Sequence, residues 1–78
     1  MTVMDIATTV DARGLSCPMP IIRTALAVKP LPQGALVEVL ATDPGSQRDF
    51  VAWCRTTGHE LVEQTVDGPV HRVVIRRK

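Results

Sequence analysis

The sequence predicts an α+β fold, a two-layer α/β sandwich in which a four-stranded mixed sheet, built in the order β-α-β-α-β-β, carries two helices on one face. Three observations predict it. Apolar residues fall at helical spacing in two segments and at strand-like spacing in four. Proline and glycine punctuate the boundaries between these segments. The length of 78 residues suffices for one modest two-layer core and for no second one, so residues 1–78 are expected to form a single domain.

The first strand is expected over residues 5–11, DIATTVD, where β-branched residues alternate loosely with others. Arg13 and Gly14 then turn the chain. Residues 18–29, PMPIIRTALAVK, place Ile21, Ile22, Ala25, Leu26 and Val28 on one helical face, and Pro30 and Pro32 stop that helix. After Gly34, residues 35–43, ALVEVLATD, are rich in Val and Leu, and their continuous apolar character argues for a central place in the sheet. Residues 43–58, DPGSQRDFVAWCRTTG, hold the second helix: Asp43 or Ser46 caps its start, Pro44 suits a first helical position, and Gly58 closes it. Phe50, Trp53, Cys54 and Thr57 share one face of this helix. Residues 59–66 and 70–78 flank Asp67-Gly68-Pro69, a turn signal between two strand-like runs, and are expected to form a hairpin. Right-handed crossovers make the first two strands parallel, each running into a helix N-terminus. The Cys17 turn and the Asp43 turn therefore fall at one edge of the sheet, beyond the carboxyl ends of its parallel strands, where ligands gather in folds of this kind.

The composition is that of an ordinary globular chain: 45% is apolar, with one Phe, one Trp and no Tyr, so Val, Leu, Ile and Ala fill the core. Nine basic and eight acidic residues leave a formal charge of +1, which excludes a strong field for nucleic acid or an acidic membrane. Arg72 and the terminal Arg-Arg-Lys form a small basic cluster, read as a solvated strand end without the aromatic interleaving of a nucleic-acid surface. The first residues lack the basic segment and apolar run of a secretory signal, and no apolar run approaches a membrane span. A cytoplasmic location follows as the expectation, with Cys17 and Cys54 as free thiols.

Cys17 stands in GLSCPMP, with Pro18 and Pro20 on either side of Met19. The arrangement predicts Cys17 at the N-cap of the first helix, Pro18 as its first residue and Pro20 as its third. Proline costs no helical hydrogen bond there, because first-turn amides have no partner inside the helix. The Met19 and Ile21 amides then face an anion, and the positive end of the helix favours thiolate over thiol. A thiol whose ordinary pKa is about 8.5 is lowered by roughly one unit or more in such a place. Arg13 is expected to add positive charge to the same turn. Cys17 has no CxxC partner, and His59 and His71 show no metal-ligand spacing, which weakens dithiol exchange and a metal site alike. No Cys/His/Asp arrangement for a hydrolase is legible. A buried, inert cysteine, a nucleophile and a carrier remain open on the residues alone.

The residues DARGLSCPMP, followed by a helix and a strand and then by DPGSQRDFVAWC leading to GHELVEQ, resemble the TusA/SirA-like sulfur-carrier (sulfurtransferase) family from Val10 to Lys78. The family's Cys-Pro-x-Pro motif is matched by Cys17, Pro18, Met19 and Pro20. The resemblance implies the same sandwich fold and a cysteine, here Cys17, that carries sulfane sulfur as a persulfide. It implies a cysteine desulfurase or rhodanese-type donor and an acceptor sulfur-relay protein, serving tRNA 2-thiouridine formation, cofactor biosynthesis or sulfur oxidation, with no cofactor of its own. Gly14, Pro18 and Pro20 shape the turn on this view, and Arg13, Met19, Asp43, Arg48 and Asp49 belong to the partner-facing edge. The family's tRNA-thiolating pattern has Glu where this chain has Met19, which bears on pathway more than on carrier chemistry.

Two other functions compete with a carrier: a regulatory or adaptor module that uses the Cys-Pro-x-Pro edge for recognition, and a thiol redox module pairing Cys17 with Cys54. Cys54 shares a face with Phe50 and Trp53 and is expected in the core. Asp43 and Asp49 are explained by helix capping and first-turn charge without acid–base catalysis. His59 is expected as a turn histidine. Nothing in the sequence demands more than a monomer.

Overall fold

The computed structural model describes residues 5–78. The reading of the first residues as lacking a signal segment falls partly on residues 1–4, outside the described ones. The described residues form β1 (Ile6–Ala12), α1 (Met19–Val28), β2 (Leu36–Ala41), α2 (Ser46–Thr57), β3 (Glu60–Asp67) and β4 (Val70–Arg76). The α+β class and element order are those expected, with strand limits differing by one or two residues. The sheet order is β1-β2-β4-β3, with β1 parallel to β2 and the other neighbours antiparallel. β2 is central, as its apolar run required.

Strand alternation sorts the side chains. Val10 and Ala12 on β1, Val37, Val39 and Ala41 on β2, and Val73 and Ile75 on β4 are buried and form one core cluster with Val28, Phe50 and Cys54. The helices supply its other layer, α1 over β1 and β2, and α2 over β3 and β4. Ala12 pairs with Ala41, both fully buried, so the strand ends nearest Cys17 carry the smallest side chains of the layer. Phe50 is the largest fully buried side chain. Truncating such a residue to Ala costs about 3–5 kcal/mol, a large share of the roughly 5–15 kcal/mol that holds a small domain folded.

The opposite face of the sheet sets a polar network among Leu36, Leu40 and the fully buried Val74. Arg72 on β4 bridges Glu38 on β2 and Glu63 on β3, and Thr9 on β1 donates to Glu38 Oε1 at 2.9 Å. The basic cluster expected at the end of the chain is divided by these pairings. Arg72 is held on the sheet face, Arg76 pairs with Glu60, and the Arg77 guanidinium donates to the Val28 carbonyl at 2.8 Å, closing the C-terminus of α1.

Gly58 ends α2 at φ 86°, and its N–H donates to the Cys54 carbonyl. A side chain is disfavoured in that left-handed conformation, which is why the helix stops there. Behind it, the His59 ring packs 5.1 Å from Trp53 and its Nδ1 accepts from the Lys78 amide at 2.9 Å. His59 is thus a turn histidine with a structural bond, and burial, with the charges of Arg77 and Lys78, holds its pKa below the ordinary value.

Candidate functional site

The end of β1 turns through residues 13–18 into α1. Gly14 sits at φ 79° with nothing near the place of an added Cβ, so the backbone conformation, and not crowding, calls for glycine. Its N–H donates to Thr42 Oγ1 at 2.8 Å, which fastens this turn to the one leaving β2. The Leu15 amide returns to the Ala12 carbonyl at 3.2 Å. The Cys17 turn and the Asp43 turn do lie side by side at the same sheet edge.

Helix α1 begins one residue later than its prolines suggested. Pro18, not Cys17, holds the N-cap position, Met19 is the first helical residue and Pro20 the second. The Met19 amide donates to the Ser16 carbonyl at 2.9 Å, and the first helical bond runs from the Ile22 amide to the Pro18 carbonyl at 3.1 Å. The Cys17–Pro18 peptide bond is cis. Of the two amides expected to face an anion, Met19 is thus occupied, and Ile21 is left without a partner among the described residues. Pro20 is buried, while Cys17, Pro18 and Met19 are exposed.

The second turn presents its carboxylates to the first. Asp43 Oδ2 accepts from the Gly45 amide at 3.1 Å, and the Asp49 amide bonds to the Gly45 carbonyl at 3.0 Å. Gly45, and not Asp43, Pro44 or Ser46, is the N-cap residue of α2, and no side chain caps it. A Cβ on Gly45 would meet Asp43 Oδ2 at 3.2 Å and Asp49 Oδ2 at 3.8 Å, so the two carboxylates converge on a bare backbone. Ser46, almost fully buried, shares a 3.0 Å hydrogen bond with His71 Nδ1, tying the start of α2 to the start of β4.

The electrostatics of Cys17 run against expectation. Hydrogen bonding to the Asp49 carboxylate, partial desolvation and the charges of Asp49 and Asp43 push the thiol above its ordinary value. The donors that would have favoured a thiolate are depleted: Pro18 and Pro20 carry no N–H, and the Met19 amide is bonded. Arg13 brings no help. Its guanidinium grips Asp11 at 2.8 and 3.0 Å, chiefly by hydrogen bonding, and holds that carboxyl at about 2. Arg48 is exposed on α2. The other thiol, Cys54, is buried in the core as expected, and burial pushes it up to about 11. No group of three or more His, Cys, Asp or Glu suited to a metal ion is present among the described residues.

The family model described as Sulfurtransferase TusA matches residues 8–77. The chain belongs to the TusA family. YrkI of Bacillus subtilis is 46% identical over 67 residues, which span 86% of this chain and 89% of YrkI. The sulfur carrier protein TusA of Allochromatium vinosum is 40% identical over 67 residues, 86% of this chain and 88% of that one. Among solved structures, a SirA-like protein from Desulfitobacterium hafniense superposes with a TM-score of 0.78 at 31% identity, covering 88% of this chain and 95% of that one. The two-layer fold is thus shared with a SirA-like relative. No helix among the described residues is long and apolar enough to cross a membrane.

Sequence reasoning named Cys17, Asp43 and Asp49 and missed how they act on one another. It read the two acids as helix caps, because only the packing of one turn against the other reveals their approach to sulfur. Thr42 and His71 gave no signal at all: a Thr at a strand end and a His at a strand start are ordinary in a sequence.

Proposed function

We propose that this protein is a sulfur carrier in which Cys17 receives sulfane sulfur as a persulfide and hands it to an acceptor protein. The observation that carries the proposal is the contrast between its two thiols: Cys17 is exposed at a turn, whereas Cys54 lies in the core. Transfer requires donor and acceptor cysteines to reach one sulfur in succession, which an exposed turn permits and a core position forbids. Membership of a family with relatives named sulfur carriers supports the same reading.

The donor is a cysteine desulfurase or a rhodanese-type protein, the acceptor another sulfur-relay protein, and the setting the cytoplasm. tRNA 2-thiouridine formation, cofactor biosynthesis and sulfur oxidation are the destinations such a relay serves. Gly14, Pro18 and Pro20 shape the turn. Arg13, Met19, Asp43, Arg48 and Asp49 form the partner-facing edge. Met19 continues into a row with Ile22 and Leu26, exposed by 39%, 42% and 61%, an apolar stripe on α1 that starts beside the cysteine.

The test is incubation with a cysteine desulfurase and cysteine, followed by intact mass. Wild type gains the mass of sulfur, Cys17→Ala does not, and an unmodified wild type would sink the proposal in favour of an adaptor role.

A further inference from the structure

The segment that follows β4 closes the sheet at the end away from Cys17, where Arg76 pairs with Leu36 at the start of β2. Arg77 fastens this segment to the stretch between α1 and β2. Its amide donates to the Ala35 carbonyl at 2.8 Å, its carbonyl accepts from the Gly34 amide at 2.9 Å, and its guanidinium reaches the Val28 carbonyl at 2.8 Å. Lys78 is fastened to the other side, the corner between α2 and β3. Its amide donates to His59 Nδ1 at 2.9 Å, and its side chain lies over Gly58, where an added Cβ would meet Lys78 Cδ at 3.0 Å. The bonds of Arg77 run to backbone groups and are blind to pH. The acceptor for Lys78 is an imidazole nitrogen, which accepts only while it carries no proton.

This bond selects the tautomer of the neutral ring, with the proton on Nε2 and Nδ1 bare. Protonation puts a hydrogen on Nδ1, so that two N–H donors face each other where one bond stood. The neighbouring charges do not rescue it. Arg77 and Lys78 are both cations and, with burial, oppose an imidazolium at this corner. Glu60, the next residue in the chain, is turned to Arg76 at 3.4 Å. Helix α2 presents the uncharged ring of Trp53, its centroid 5.1 Å from that of His59. An aromatic face attracts a cation, so a protonated ring stays on Trp53 while its bond to Lys78 fails.

We propose that His59 is a pH-sensitive latch on the C-terminal segment: the neutral ring holds the Lys78 amide through Nδ1, and protonation releases Lys78 while Arg77 keeps the segment attached. The ring is held below the ordinary value of 6.5, so the latch is closed above that pH and opens as pH falls through the lowered value. Release is local, because the bonds of Arg77 contain no group that titrates near neutrality. The latch does not depend on the carrier role.

The test is proton and nitrogen NMR of the full chain, followed from about pH 8 to about pH 5. The neutral His59 ring is expected to show its proton on Nε2 and to titrate below 6.5. The Lys78 amide signal is expected to move upfield with the same midpoint, and the emission of Trp53, the only tryptophan, to change with it. His59→Gln offers an acceptor that does not titrate and should remove the pH response of the Lys78 amide. His59→Phe keeps a ring against Trp53 and should leave that amide at its released position throughout, with circular dichroism checking the fold of both variants. A Lys78 amide that ignores the His59 midpoint in wild type overturns the latch. So does a pH response of that amide that persists in His59→Phe, or a neutral ring with its proton on Nδ1.

Discussion

The Gly14 amide donates to Thr42 Oγ1 at 2.8 Å, and this bond between residues 28 apart joins the turn bearing the cysteine to the turn bearing its acids. Neither partner belongs to the core, yet their bond holds the two turns together. Thr42→Val keeps the shape and removes the acceptor. It is expected to cost about 1 kcal/mol of stability, read as a lower midpoint in urea, and to shift the Cys17 titration toward an ordinary thiol as the acids drift away.

The Ser46–His71 pair makes a similar link one layer deeper. Ser46 is 2% exposed, and its hydroxyl shares its bond with the His71 ring alone of the side chains nearby. Ser46→Ala removes the bond and leaves His71 Nδ1 facing an apolar surface. A loss of about 1–2 kcal/mol in denaturant unfolding is expected, with sulfur loading on Cys17 retained.

Cys54→Ala separates a carrier from a dithiol exchanger. The thiol is buried and pushed up to about 11 by that burial, so it is unreactive at neutral pH. The variant is expected to load and release sulfur as wild type does, while losing about 1 kcal/mol from the small cavity left beside Phe50. Mass spectrometry and urea unfolding read the two effects separately. Loss of transfer would turn the case toward a redox module.

Acid should weaken the fold through its paired carboxylates. Hydrogen bonding to Arg13 lowers Asp11 to about 2, and hydrogen bonding to Arg72 and Thr9 lowers Glu38. Groups lowered in the folded state contribute fully above their unfolded pKa and lose that contribution as pH falls through the folded value. Stability is therefore expected to be flat near neutral pH and to fall below the ordinary carboxylate range. Arg13→Ala should bring the Asp11 titration, followed by carbon NMR, from about 2 back toward 3.8, with little change in stability because the pair is solvent-exposed.

Elements were legible in the sequence where they depended on local pattern. The run Leu36 to Ala41 declared a central strand, Gly58 declared a helix end, and the spacing of Phe50 and Cys54 declared an inner face. Helix starts were less legible. Pro18 and Cys17 compete for one cap position, and the contest is decided by where the Met19 amide finds its acceptor, which no spacing encodes. The order of the sheet was not readable either, because β4 reaches its place between β2 and β3 through pairings with both. For the site, the candidate residue Cys17 was plain in its motif. Its electrical setting was not: helix polarity is a local property and pointed to a thiolate, whereas the approach of Asp49 is a product of tertiary packing and reversed the sign.

The position of β4 also bears on when the site comes into being. It is the last described element in chain order, yet it pairs with β2 on one side and β3 on the other. The β3–β4 hairpin is local, but the β2–β4 pairing joins residues far apart in sequence and forms late compared with local contacts. During synthesis, then, β1, α1 and β2 emerge well before the strand that braces them, and His71 on that strand holds the first turn of α2 through Ser46. A nascent chain exposes Cys17 early but acquires the finished acidic setting of that cysteine only when β4 docks.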